Sequence, residues 1–135
     1  MTQEALLIRG YPVKYPDYAE DINDVENVLN EEFRCNDAVD GAEVTPDTPR
    51  LIMVRRAYDS IDLDDYAIYV AYGICSLSRG QMVDPGILGG VLTIPEQPVP
   101  PKLKSFLKTN EFVVEPKFGL YTDLFDCDRD YYVYS

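Results

Sequence analysis

Tyr66–Leu77, the run YAIYVAYGICSL, is the longest nearly uncharged apolar segment in a chain otherwise crowded with carboxylates. Ile68, Val70, Tyr72 and Ile74 fall in one alternating register and Tyr69, Ala71, Gly73 and Cys75 in the other. A strand covered on both faces has this pattern. A buried helix is the competing reading, but β-branched and aromatic content around an interior Gly73 favours the strand. Asp59–Asp65 (DSIDLDD), just before it, is too charged and turn-rich to belong to the same buried element, and Ser78–Gln81 (SRGQ) reads as the turn that follows.

Working outward, Leu51–Val54 is a second apolar run, closed by the adjacent cations Arg55 and Arg56, and Ala5–Ile8 is a third, ended by Arg9 and Gly10. Tyr11–Pro16 contains two prolines and reads as an extended connector. Cys35–Pro49, rich in Asn, Asp, Gly, Thr and Pro, reads as a loop. On the other side, Asp84–Gly86 suggests a turn, and the glycine-rich bend Gly86–Gly90 leads into Val91–Ile94, read as a strand. Pro95–Pro101 is a proline-rich linker, with a short helix expected over Lys102–Thr109, its prolines in the first turn and Asn110 ending it. Phe112–Glu115, Lys117–Tyr121 and Tyr131–Tyr134 are short β-like runs. Elements alternate too little for a doubly wound parallel sheet. The expected fold is therefore α+β, a single domain over residues 1–135, with a mainly antiparallel sheet of about five strands, one long acidic helix and one short basic helix.

The acidic helix rests on periodicity. Tyr18, Ile22, Val25, Leu29 and Phe33 recur at spacings of three and four, with Asp17 as the expected N-cap. The other face carries Asp17, Glu20, Asp24 and Glu31, flanked by Asp21, Glu26 and Glu32, and no cation precedes Arg34. Glu31 and Glu32 stand at the end where the helix dipole disfavours them, and without cations the helix body forms no i,i+4 ion pair. Such a face is costly to the helix itself.

The chain holds 24 acidic and 12 basic residues, a net charge of −12, and no histidine. Fifteen of the acids and only four arginines lie between Asp17 and Asp65. A field of this sign repels phosphate backbones and anionic membranes and attracts basic partners. Hydrophobic residues make up 46 % of the chain, enough to fold, and 135 residues need no metal or disulfide to do so. With no apolar run approaching a membrane span and no signal-peptide layout, the expectation is a cytoplasmic protein, or one in the host cytoplasm if viral. Cys35, Cys75 and Cys127 are odd in number and widely spaced, which argues for free thiols.

Chemical motifs are weak. The absence of histidine removes Ser-His-Asp triads, zinc–histidine sites and histidine acid–base catalysis. Asp126, Asp128 and Asp130 alternate as in a calcium loop, but Tyr131 replaces the turn glycine and Arg129 puts a cation inside. Asp62, Asp64 and Asp65 offer carboxylates for magnesium-dependent chemistry, yet such triplets are common as turns. The glycines near Gly86 precede β-formers, without the lysine of a phosphate loop. No cofactor is expected.

Eleven tyrosines and no tryptophan suit surfaces where an aromatic body is dry and its tip wet. Glu20, Asp24 and Glu31 bracket Asn27 in one row, with a step of four residues rising ~6 Å. Phosphates along a DNA strand rise ~3.4 Å per nucleotide, so this row backed by an acidic loop approaches nucleic-acid charge density. The expectation is a noncatalytic protein whose acidic side docks on a basic, nucleic-acid-handling surface of a larger protein and blocks it. Asp17, Glu20, Asp21, Asp24, Glu31, Asp37, Asp40, Tyr15 and Tyr18 are the expected contact residues. Phage inhibitors of nucleases or of RNA-guided defence, and immunity proteins against toxins, are settings where this physics is useful. The alternatives are an enzyme using carboxylates and a divalent ion, and a subunit of a viral assembly that pairs through its tyrosine-rich last strand.

Overall fold

The computed structural model describes residues 4–37, 44–57, 60–78, 84–125 and 131–134. Strands are β1 (Glu4–Lys14), β2 (Cys35–Asp37), β3 (Arg50–Arg55), β4 (Tyr66–Ser78), β5 (Val113–Val114), β6 (Gly119–Phe125) and β7 (Tyr131–Tyr134). Helices are α1 (Ile22–Glu32), α2 (Pro85–Leu92) and α3 (Pro101–Thr109), and a 3-10 turn spans Leu63–Asp65. Among the described residues these seven strands join one sheet, ordered β2-β7-β3-β4-β1-β5, with β6 also on β1. Every pairing is antiparallel, so the architecture is α+β as expected, with more strands than the five anticipated.

β4 is the apolar run from which the reading began, and it lies between β3 and β1. Its two registers do not stay on their faces. Arg9 pairs with Gly73 and Gly10 with Ala71, which leaves Tyr72 as the extra residue of a bulge. Before the bulge Tyr66, Ile68, Val70 and Tyr72 join one core, while Tyr69 and Ala71 join the other. After it the parity inverts, so that Gly73 faces Val91 and Ile94, and Ile74 packs in the second core. Gly10 makes the bulge possible: a Cβ there would lie 1.9 Å from the Val70 carbonyl oxygen.

β1 continues through Tyr11–Lys14, where a connector was expected. Pro12 is tolerated because β6 covers the outer edge of β1 only as far as Gly10 and β5 begins at Val13. Its missing N–H faces that gap, and its carbonyl still accepts from the Glu115 N–H at 2.8 Å.

The first core lies under the helices, where Ile22, Val25 and Leu29 of α1 and Leu103 and Leu107 of α3 pack on Met53, Ile68 and Val70. Tyr11 and Tyr72 donate their hydroxyls to the Gln97 and Pro98 carbonyls, fastening the proline-rich linker over this layer. The second core, Leu6, Ile8, Ile52, Val54, Tyr69, Ala71 and Val133, fills the opposite face, with no helix among the described residues packed in it. The sheet covers that face itself. In a flat sheet β6 and β3 would be about 14 Å apart, three strand spacings, yet Arg56 at the end of β3 bonds Asp123 of β6. The sheet is therefore strongly curled.

Val91–Ile94 is not a strand: α2 begins at Pro85 with Asp84 as N-cap, its carboxylate accepting from the Gly86 and Ile87 N–H groups. Proline in the first turn and an aspartate before it are the start signals that outweighed the β-forming valine and isoleucine.

Candidate interaction surface

α1 starts later than its periodicity suggests. Its N-cap is Asp21, not Asp17, with Asp21 accepting from the Asn23 N–H and Asp24 reaching back to the Glu20 and Asp21 N–H groups. This reciprocal capping box satisfies donors that the helix end would otherwise leave free. Tyr18 precedes the helix, 46 % exposed, and donates its hydroxyl to the Asn110 carbonyl beyond α3.

The expected row of carboxylates therefore divides by role. Asp21 and Asp24 are half-buried and committed to the cap, whereas Asp17, Glu20, Glu31 and Glu32 are exposed. None of these four forms an ion pair among the described residues. Glu26, half-buried beside Arg55, has its carboxyl raised above the usual range by burial, which the arginine partly opposes. Asp37 lies on β2, and Asp40 lies outside the described residues. Tyr15 is half-buried with its hydroxyl enclosed and unpaired among the described residues; burial pushes that phenol well up.

A second segment, whose aspartates read in the sequence as a turn, joins this surface. The Ile22 N–H donates to the Ile61 carbonyl at 2.9 Å, which fixes Ser60–Asp65 against the start of α1. Ile61 is 57 % exposed there, next to the exposed Asp62 and Asp64. Asp65 is turned inward to the Ser60 hydroxyl, and Tyr66 donates to the Ser60 carbonyl at 2.6 Å. Among the described residues no three acidic or cysteine side chains converge to hold a metal ion; Asp126, Asp128 and Asp130 lie outside them. The signal for Ile61 was present as one isoleucine between two aspartates, but nothing in the sequence said it would stay uncovered.

At its far end α1 lies beside α3. Phe33 meets Phe106 edge-on, with ring centroids 4.8 Å apart, and a cleft of about 430 Å3 separates Glu31 and Glu32 from Lys102. Lys104 and Lys108, also exposed, border a larger open groove of about 780 Å3 floored by Tyr11, Leu107, Phe112 and Val114. Asp17 and Glu111 stand on the same rim, so both signs of charge line it.

The buried ionic contact is elsewhere. Asp123, 4 % exposed on the concave face, accepts from Arg56 Nε at 2.5 Å and from its terminal nitrogen at 3.2 Å, and also from the Tyr69 hydroxyl. Burial raises the Tyr69 phenol, and the bond to Asp123 adds to that. Cys75 is free and buried, with its thiol pushed up by burial. Among the described residues no helix is long and apolar enough to cross a membrane. No family model, curated protein or solved structure matches the chain.

Proposed function

We propose that this chain is a noncatalytic binding protein that lays the acidic side of α1 on a basic, nucleic-acid-handling surface of a larger protein and blocks it. The supporting observation is the combination at the start of α1: Glu20, Asp62 and Asp64 exposed without ion-pair partners among the described residues, beside an isoleucine left 57 % exposed. Carboxylates in that state attract cations at long range, and an exposed apolar side chain among them is the part that gains from being dried. Asp21 and Asp24 hold the helix end, so the contact set narrows to Asp17, Glu20, Glu31, Glu32 and the Ile61 turn.

The test is capture from a lysate of the source or host organism at low and moderate salt, read by mass spectrometry beside an equally acidic unrelated protein. A basic nucleic-acid enzyme retained by this chain alone, and released by salt, is the expected result. Glu20→Lys with Glu31→Lys and Glu32→Lys should then slow association ~10-fold or more, and Ile61→Asp should speed dissociation. Unchanged binding by both variants would rule out this surface.

A further inference from the structure

The groove of about 780 Å3 between α3 and β5 shares with the contact set on α1 only Asp17, on its rim. Its β5 wall is a sheet edge. β5 stands last in the strand order and pairs only with β1 among the described residues. The Glu115 N–H donates to the Pro12 carbonyl at 2.8 Å, so in this antiparallel register Val113 and Glu115 turn their main-chain groups to β1, and Val114 turns its N–H and carbonyl outward. Neither group has a partner among the described residues. An open donor and acceptor on a strand edge are what an added strand pairs with.

The α3 wall carries the charge. Lys104, Leu107, Lys108 and Glu111 recur at spacings of three and four, which puts one stripe of α3 and the residue closing it on the groove. Leu107 is buried in the floor, while Lys104, Lys108 and Glu111 are exposed and form no ion pair among the described residues. Glu115, on the opposite wall, is already held by Lys14 at 3.2 Å. From Lys104 to Glu111 is about two turns, roughly 10 Å along the helix. Asp17 stands at the Glu111 end, because the hydroxyl of the adjacent Tyr18 bonds the Asn110 carbonyl. The stripe thus runs from cations to a pair of acids.

Glu111 is kept there against its backbone. Its φ is 66°, in the left-handed region that favours glycine. It closes α3 in a Schellman turn, where the Glu111 N–H donates to the Lys108 carbonyl at 3.2 Å and the Phe112 N–H to the Leu107 carbonyl at 2.9 Å. Glycine would close the helix with less strain. Residues held this way cluster at ligand-binding sites.

We propose that this groove binds an extended peptide segment of another protein, which adds a strand to β5 at Val114, lays apolar side chains over Leu107 and Phe112, and sets an acidic residue at Lys104 and a basic one at Glu111 and Asp17. At about 3.3 Å per residue, some three residues of strand span the two charges. The occupant has to carry both signs. A purely acidic segment is repelled by a chain of net charge −12, and a purely basic one meets Lys104 and Lys108. A crevice open along its length between a helix and a strand suits an extended main chain better than a compact molecule, which would leave the Val114 groups or one charged end unmatched. The site stands whether or not α1 meets a basic partner.

Random seven-residue peptides displayed on phage, selected on the intact chain and counter-selected on an equally acidic unrelated protein, test this. The enriched sequences should place an acid and a base about three residues apart, with apolar residues between them. A dye-labelled peptide from that pool, titrated by fluorescence polarisation, should bind about tenfold more weakly to Lys104→Glu and to Glu111→Gly. Glu111→Gly should keep or raise Tm, because its φ of 66° suits glycine, so that loss of binding is not loss of fold. Val114→Pro removes the outward N–H while Val113 and Glu115 keep their bonds to β1, and should weaken binding by a similar factor. In the wild-type chain, hydrogen exchange followed by NMR should show the Val114 amide protected only when the peptide is present. A selection that enriches nothing over the counter-selection overturns the proposal, as does a peptide held equally well by Lys104→Glu and Glu111→Gly. Weakening in those two variants without protection of the Val114 amide overturns the added strand.

Discussion

Replacing Asp123 by alanine would leave Arg56 without its carboxylate and Tyr69 without its acceptor on the concave face. Breaking a fully buried ion pair costs 3–5 kcal/mol, but the Arg56 side chain is 43 % exposed and water recovers part of the loss. A destabilisation of about 2 kcal/mol in urea unfolding is expected. A change below ~0.5 kcal/mol, the usual size for an inert surface position, would mean that the pair does not hold the curl closed. Neither residue stood out in the sequence: Arg56 read as the end of a strand, and Asp123 as one acid among many. Alternation from Tyr121 does put Asp123 on the inward register, but only the curl, set by contacts far apart in the chain, brings a cation to it.

Among elements, α1 shows most plainly how local physics and surface charge divide the same residues. Asp24→Ala should cost about 1 kcal/mol of stability through loss of the cap, a loss that urea unfolding would register with no partner present. Asp24→Lys would confound folding with binding, and for that reason the charge reversals above avoid it. The helix, its buried stripe and its uncompensated carboxylates were legible because they rest on short spacings. Its first residue was not, because Asp17 and Asp21 are both acceptable caps and only the anchoring of Ile22 to Ile61 favours the later start. β3, β4 and β7 were legible as apolar runs for the same reason. β1 was cut short because Pro12 breaks a ladder everywhere except in a gap between outer strands, and such a gap is a property of the assembled sheet. α2 was misread because Val91–Ile94 are β-formers, with the start signal six residues upstream at Asp84 and Pro85.

Over the whole molecule, the lack of histidine and the many buried phenols fix how stability responds to pH. No side chain with an unperturbed pKa near neutrality is present to change charge there, so the curve should be flat from about pH 6 to 8, above which the buried Cys75 thiol, raised from its ordinary 9.0, begins to count against the fold. Burial raises Tyr11, Tyr15, Tyr66, Tyr69 and Tyr72 above their ordinary value of 10.0, Tyr72 to about 12. Above pH 10 the unfolded chain therefore releases protons that the fold still holds, and stability falls as pH rises. Urea midpoints paired with phenolate absorbance should show the fall steepening near pH 10, with the late-titrating tyrosines ionising only as the chain unfolds. Ionisation of all the tyrosines before any loss of structure would contradict their burial.

The place of β7 bears on how the protein is made. Of the seven strands Tyr131–Tyr134 is the last to leave the ribosome, yet in the sheet it lies between β2 and β3. Until it emerges, β2 has no neighbour, and β3, with Leu51–Val54 all apolar, presents an open edge. Until then the nascent chain carries one edge of this apolar strand unpaired. The carboxylates that crowd the neighbouring sequence repel one another between chains at that stage, which would keep polysome-bound copies apart before a fold exists.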